Sequence, residues 1–140
     1  MNVRTVLQTA AVVVAAMLLG CGSGTNITSG SGLQGSYGGI YRIVDGAYVE
    51  QGTLTLVIGK DGRLAGTGLD NATAAASNLT GWVADSGRFN GSLITPAGTY
   101  TLTGSLTHTP GTQNLVGVLD RRDASTGTAA GTYTIDCLLQ

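Results

Sequence analysis

Charge is scarce in this chain: of 140 residues, seven are Lys or Arg and eight are Asp or Glu, with one lysine, Lys60, and one glutamate, Glu50. Nucleic-acid binding calls for a basic stripe, and no such stripe is present, so no nucleic-acid partner is expected. Histidine and cysteine are equally rare. One histidine, His108, and two cysteines, Cys21 and Cys137, fall short of the three or four convergent ligands that a zinc site requires. Serine and threonine abound, yet without a paired base none stands out as a nucleophile. Glycosidase chemistry needs two facing carboxylates, and the only acids deep within strand-like segments are Glu50 and Asp136. No catalytic residue, metal or cofactor is therefore expected.

Long apolar runs are also missing. A membrane-spanning helix needs about 20 apolar residues, whereas the run Ala10 to Leu19 stops at half that length. It follows Arg4 and ends in small residues before a cysteine, which is the pattern of an export signal. Leu18-Leu19-Gly20-Cys21 resembles the lipobox of bacterial lipoproteins. The resemblance implies that residues 1–20 are cleaved and that Cys21 carries a diacylglycerol and a further acyl chain such as palmitate. Each buried methylene adds about 0.8 kcal/mol to membrane affinity, so two or three chains anchor the protein stably. Gly22 is not the aspartate that favours inner-membrane retention in enteric lipoproteins. The implied location is the cell envelope, first the outer membrane of a Gram-negative bacterium, with a Gram-positive surface left open.

Once Cys21 is acylated, Cys137 has no intramolecular partner. Tyr133, Ile135 and Cys137 alternate, which places the thiol on a buried strand face; an intermolecular bridge is the alternative. Residues 21–34 are rich in Gly, Ser, Thr and Asn, with Ile27 and Leu33 as isolated apolar side chains. That composition reads as a tether between the anchor and a single domain over 35–140. Without residues 1–20, six basic side chains face eight acidic ones.

Beyond Gln34 the apolar pattern has period two, the mark of a strand with one buried face. Leu54, Leu56 and Ile58 alternate with threonines, as do Tyr100, Leu102 and Leu106. Eight strands are predicted, at 36–44, 48–58, 63–70, 78–84, 88–94, 98–107, 114–120 and 128–138. Short links rich in Gly, Asp and Pro join them, too short for crossover helices. An apolar-x-Gly unit recurs at Gly66, Gly81, Gly91, Gly104, Gly117 and Gly131, which would turn one glycine of each strand inward and let the sheet coil tightly. Few charges or prolines guard the strand edges, so pairing the first strand with the last would remove both. The expected fold is all-β: an antiparallel up-and-down meander closed into a small barrel, with a two-sheet sandwich as the alternative.

The segments Asp61-Gly62-Arg63-Leu64-Ala65-Gly66-Thr67 and Asn78-Leu79-Thr80-Gly81-Trp82 are similar to hairpins of small barrels of the avidin and lipocalin type. The resemblance implies architecture only, since the tryptophans that wall an avidin-type biotin site have no counterparts.

Remaining candidates for binding are Trp82, Arg121 and Arg122. Trp82 points outward if the leucine face is the core, and inward if the register is reversed. Asp120-Arg121-Arg122-Asp123 reads as an exposed, self-neutralised loop whose guanidinium groups could contact an anionic partner. His108 is expected at a solvent-facing strand end. Arg42, Glu50 and Asp136 are expected on the outer face, with Arg42 pairing across strands with Glu50 or Asp136. The function these features support is a non-catalytic envelope module that contacts the membrane through Cys21 and acts on a protein partner. A barrel carrying a small ligand is the alternative.

Overall fold

The computed structural model describes residues 32–140; the expected signal segment, residues 1–20, and Cys21 lie outside them. Eight antiparallel strands follow in chain order: β1 (Gly35–Asp45), β2 (Tyr48–Ile58), β3 (Arg63–Asp70), β4 (Ala76–Val83), β5 (Arg88–Thr95), β6 (Gly98–His108), β7 (Asn114–Asp123) and β8 (Ala129–Leu139). Each pairs with its sequence neighbour, and β1 pairs with β8, closing a barrel. Closure is carried by a continuous register from Tyr37↔Leu139 to Val44↔Thr132, which leaves no exposed edge for another chain to extend. The barrel, rather than the sandwich, is the fold.

Alternation assigns the two faces. Inward positions supply nineteen buried apolar side chains, among them Tyr37, Tyr41, Leu54, Leu56, Phe89, Leu102, Leu119 and Tyr133. Each such burial contributes roughly 1.5–3 kcal/mol. Outward positions are dominated by threonine, with Thr53, Thr55, Thr67, Thr80, Thr101 and Thr103 exposed. An apolar inside and a threonine outside is the reverse of the polarity of a membrane-spanning barrel. Cys137 is fully buried. Burial foremost, and then the neighbouring Asp136, pushes its thiol up to about 11, so it sits in the core as a small apolar residue.

Eight strands enclose an interior only just wide enough for side chains, and the recurrent glycines are how this chain fits rings into it. The Phe89 ring lies against the paired Gly81 and Gly91: an added Cβ would meet ring atoms at 2.6 Å and 2.4 Å. Tyr41 uses Gly52 and Gly68 in the same way, and Leu106 uses Gly117. Two further glycines serve turns. Gly62 and Gly87 close matching turns after β2 and β4 with φ near +83° and +85°, and their carbonyls accept the N–H of Val83 and Leu106 at 2.8 Å.

The up-and-down path gives the barrel two distinct poles. At the proximal pole lie the start of β1, the end of β8 and the connections 59–62, 84–87 and 109–113. Leu33, read from composition as part of the tether, is 3% exposed and belongs to the core. Its carbonyl accepts the Tyr37 hydroxyl at 2.7 Å, which fixes where the chain enters the fold. The turns 46–47, 71–75, 96–97 and 124–128 form the distal pole.

The packing against Gly91 predicts that Gly91→Ala, a single methyl, destabilises the fold. The added carbon would lie 2.3 Å from the Thr80 carbonyl oxygen as well as against Phe89, and overpacking of this kind costs about 1–3 kcal/mol. A lower urea midpoint with an unchanged m-value checks it.

Candidate functional site at the distal pole

The interior changes character along the barrel axis. Towards the proximal pole the inward positions are apolar: Leu33, Ile58, Leu64, Val83, Phe89, Leu106 and Leu115 are all buried. Towards the distal pole the same alternation brings in Glu50, Asp70, Ser77, Tyr100 and Arg121, together with the hydroxyls of Tyr41 and Tyr133. Among the described residues, these inward-facing polar side chains gather at the distal end of the barrel.

Glu50 is its carboxylate. Expected on the outer face, it instead continues the inward row Ile58, Leu56, Leu54 and Gly52 of β2. Its two oxygens accept the hydroxyls of Tyr41 at 2.7 Å and Tyr48 at 2.8 Å. Burial first, then the bond to Glu50, raises the Tyr41 phenol well above its ordinary value. Tyr133 stacks on Tyr41 with ring centroids 5.3 Å apart and planes 5° from parallel. Its hydroxyl is buried without a hydrogen-bond partner among the described residues, and burial raises its pKa strongly as well.

Arg121 is the cation. The sequence reading placed it in an exposed loop with Asp120, Arg122 and Asp123; in fact β7 runs on through Asp123. A β-bulge between Asp120 and Arg122, opposite Gly131 at φ +88°, shifts the register there. The extra residue belongs to β8, where Ala130 and Gly131 face Arg121, while the inward alternation of β7 runs on unbroken from Leu119. Arg121 turns inward and is 7% exposed. Its guanidinium carbon lies 3.7 Å from the centroid of the Tyr100 ring, and Nη1 donates to the Ala130 carbonyl at 2.6 Å. Arg122 turns outward and pairs with Asp120 at 2.7 Å, as self-neutralisation of the cluster anticipated.

Two distal turns share one construction. The Asp70 carboxylate accepts the N–H groups of Ala72 and Thr73 and the Thr73 hydroxyl. The Asp123 carboxylate accepts the N–H groups of Ser125 and Thr126 and the Ser125 hydroxyl. Side-chain hydroxyl donors first, then backbone donors, hold both carboxyls below the usual carboxylate range.

The other sequence candidates scatter. Trp82 points outward, 51% exposed, and donates its ring N–H to the Asp61 carbonyl at 2.9 Å near the proximal pole. His108, expected to face solvent, is half-buried at the same pole with Nε2 2.9 Å from the Tyr37 hydroxyl. Because that hydroxyl donates to Leu33, the imidazole supplies the proton of this contact. Arg42 and Asp136 are exposed on the outer wall, where Asp136 accepts the Asn114 side-chain amide at 2.8 Å. Arg63 pairs with Asp61 and Arg122 with Asp120, whereas the anticipated pair of Arg42 with Glu50 or Asp136 does not form. Glu50 and Asp136 face opposite sides of the wall and make no acid pair. Cys21 lies outside the described residues. The best-formed concavities run along the outer wall, lined mainly by outward residues such as Ile40, Arg42, Val116 and Val118 or Thr55, Val57, Thr67 and Thr80.

Sequence reasoning missed Glu50 and Arg121 although a signal was present. Counting inward by twos from Leu54 reaches Glu50, and from Leu119 reaches Arg121.

Removing the unpartnered hydroxyl in Tyr133→Phe is expected to leave stability unchanged or raise it. Tyr41→Phe, which breaks a bond to a carboxylate, should lower it by about 1.5–3 kcal/mol; paired thermal melts check both. For Asp123 the folded pKa is the lower one, so its stabilisation is present at neutral pH and disappears as pH falls through that depressed value. Asp123→Ala should therefore melt below the parent chain at pH 7, and the gap should close on acidification. Comparison with protein-family profiles, curated protein sequences and solved structures finds no match to this chain.

Proposed function

We propose that this protein is a non-catalytic envelope lipoprotein, anchored through lipid on Cys21, that acts as an interaction module through the distal pole of its barrel. The observation that carries the reading is the division of labour between the poles. The chain enters at the proximal pole beside Leu33, and the inward polar groups gather at the opposite one. An anchor at residue 21 thus turns the polar pole away from the membrane. The proximal pole also exposes Val57, Trp82 and Leu138, side chains suited to a headgroup boundary, where tryptophan combines an apolar body with a polar tip. The packed apolar core supports this reading over carriage of a bulky apolar molecule within the barrel, which would need a cavity of about 300 Å³ or more.

Two measurements test it. In the native host, radiolabelled palmitate is expected on the chain and lost in Cys21→Ser; an unlabelled parent chain overturns the anchor. A photo-crosslinker at Ser125, on a distal turn, should trap a reproducible envelope partner, whereas one at Thr103 on the outer wall should not. No adduct from Ser125, or equal yields from both, overturns the distal pole as the working face.

A further inference from the structure

Arg121 is the one cation of the described residues whose side chain the fold takes out of water, and it is 93% buried by the measure that leaves it 7% exposed. Burying a charge is expensive unless it is paired and hydrogen-bonded. Here the compensation is partial. Tyr100 covers one face of the guanidinium, and one carbonyl, that of Ala130, takes Nη1. Arg121 belongs to neither the Arg63–Asp61 nor the Arg122–Asp120 ion pair. Its Nε has no hydrogen-bond partner, and no bond is made by Nη2 among these residues either.

The pattern of what is used and what is left over is specific. Nε–H and Nη2–H form the side edge of the guanidinium, two parallel donors in one plane, the fork that matches the two oxygens of a carboxylate. Ring and carbonyl have occupied the face and the other nitrogen, and this edge is spared. The alternation of β7 carries Arg121 inward from Leu119 at the distal pole, opposite the β8 bulge at Ala130 and Gly131 and beside the exposed turn 124–128.

From this geometry we infer that Arg121 is the receptor for a carboxylate group of the protein's ligand. A singly charged group fits the charge that is present. The other cations, Arg42, Lys60, Arg63, Arg88 and Arg122, are exposed on the outer wall or at its turns. Glu50 and Asp70 share the distal interior with Arg121, so a doubly charged phosphate would meet one cation and two acids. The core beneath is filled by Tyr41, Leu119 and Tyr133, so the group enters as a terminus and the rest of its molecule stays outside. The carboxylate of a small acid or the end of a partner chain meets this requirement equally. The inference deepens the reading of the distal pole as the working face.

The test is a titration of the full-length chain in detergent micelles, reading the ¹⁵N–¹H resonance of Arg121 Nε, with probes compared at equal ionic strength. Acetate is expected to shift that resonance saturably, with chloride inert and phosphate weaker. Tri-alanine with a free carboxylate should shift it too, and its C-terminal amide should not. Binding equal to that of acetate assigns the source to any small acid, and binding at least about tenfold tighter assigns it to a protein chain end. Arg121→Lys keeps the charge without the fork and should weaken acetate by at least about tenfold, whereas Arg122→Lys should not. A resonance that acetate leaves in place, that chloride moves equally, or that phosphate moves at lower concentration overturns the carboxylate receptor. Because no membrane or envelope partner is present in this titration, such a failure stands apart from failure of the palmitate and crosslinking tests.

Discussion

The width of an eight-stranded interior is the constraint on which the rest of this structure depends. Eight strands leave room for one layer of side chains meeting near the axis, and this chain buries three tyrosines, a phenylalanine and many leucines in that small space. Glycine resolves the conflict by position. Phe89 occupies the room left at Gly81 and Gly91, and Tyr41 the room left at Gly52 and Gly68. Leu106 and Leu119 likewise lie against Gly117 and Gly104, and closure of β1 on β8 follows from the tight coiling that these positions permit.

A filled core dictates where polar chemistry can reside. Groups that need water or a partner cannot sit at mid-barrel, so they are displaced to the ends, and the two ends have taken different paths. At the proximal pole His108, Tyr37 and the Leu33 carbonyl satisfy one another and secure the incoming chain. The distal pole satisfies Glu50 with two phenols but leaves Nε of Arg121 and the hydroxyl of Tyr133 unpartnered, against the single amide oxygen of Asn114 at the proximal start of β7. Buried polar groups are rarely left so. That imbalance, rather than any groove on the wall, distinguishes one region of the fold as a site.

The outer wall is chemically quiet by comparison. Threonines suit the pleat through their β-branch and give a neutral surface, while the charges are confined largely to turns and strand ends. An uncharged sheet with open edges would invite pairing with other chains. Here the continuous ladder between Tyr37–Val44 and Thr132–Leu139 removes the edges instead, so the wall has no need of guarding charges.

Local sequence determined the strands, their faces and the turns between them, because period two and Gly/Asp links act over a few residues and need no partner. Closure was legible too, from unguarded edges and inward glycines. The lipobox and tether were legible only as a resemblance and a composition. Depth along the barrel axis was decided by the tertiary structure alone. Alternation says that Glu50, Arg121 and Leu33 belong to one face or another, but not whether a neighbouring strand is present to continue the ladder at that height. β8 provides that partner for Asp120 and Arg122 and so converts a supposed loop into strand, along which the alternation continued from Leu119 sends Arg121 inside. Trp82 was undecided for the same kind of reason: its outward aim depends on the register β4 adopts between Arg63 and Asn90, and register is a property of the closed sheet.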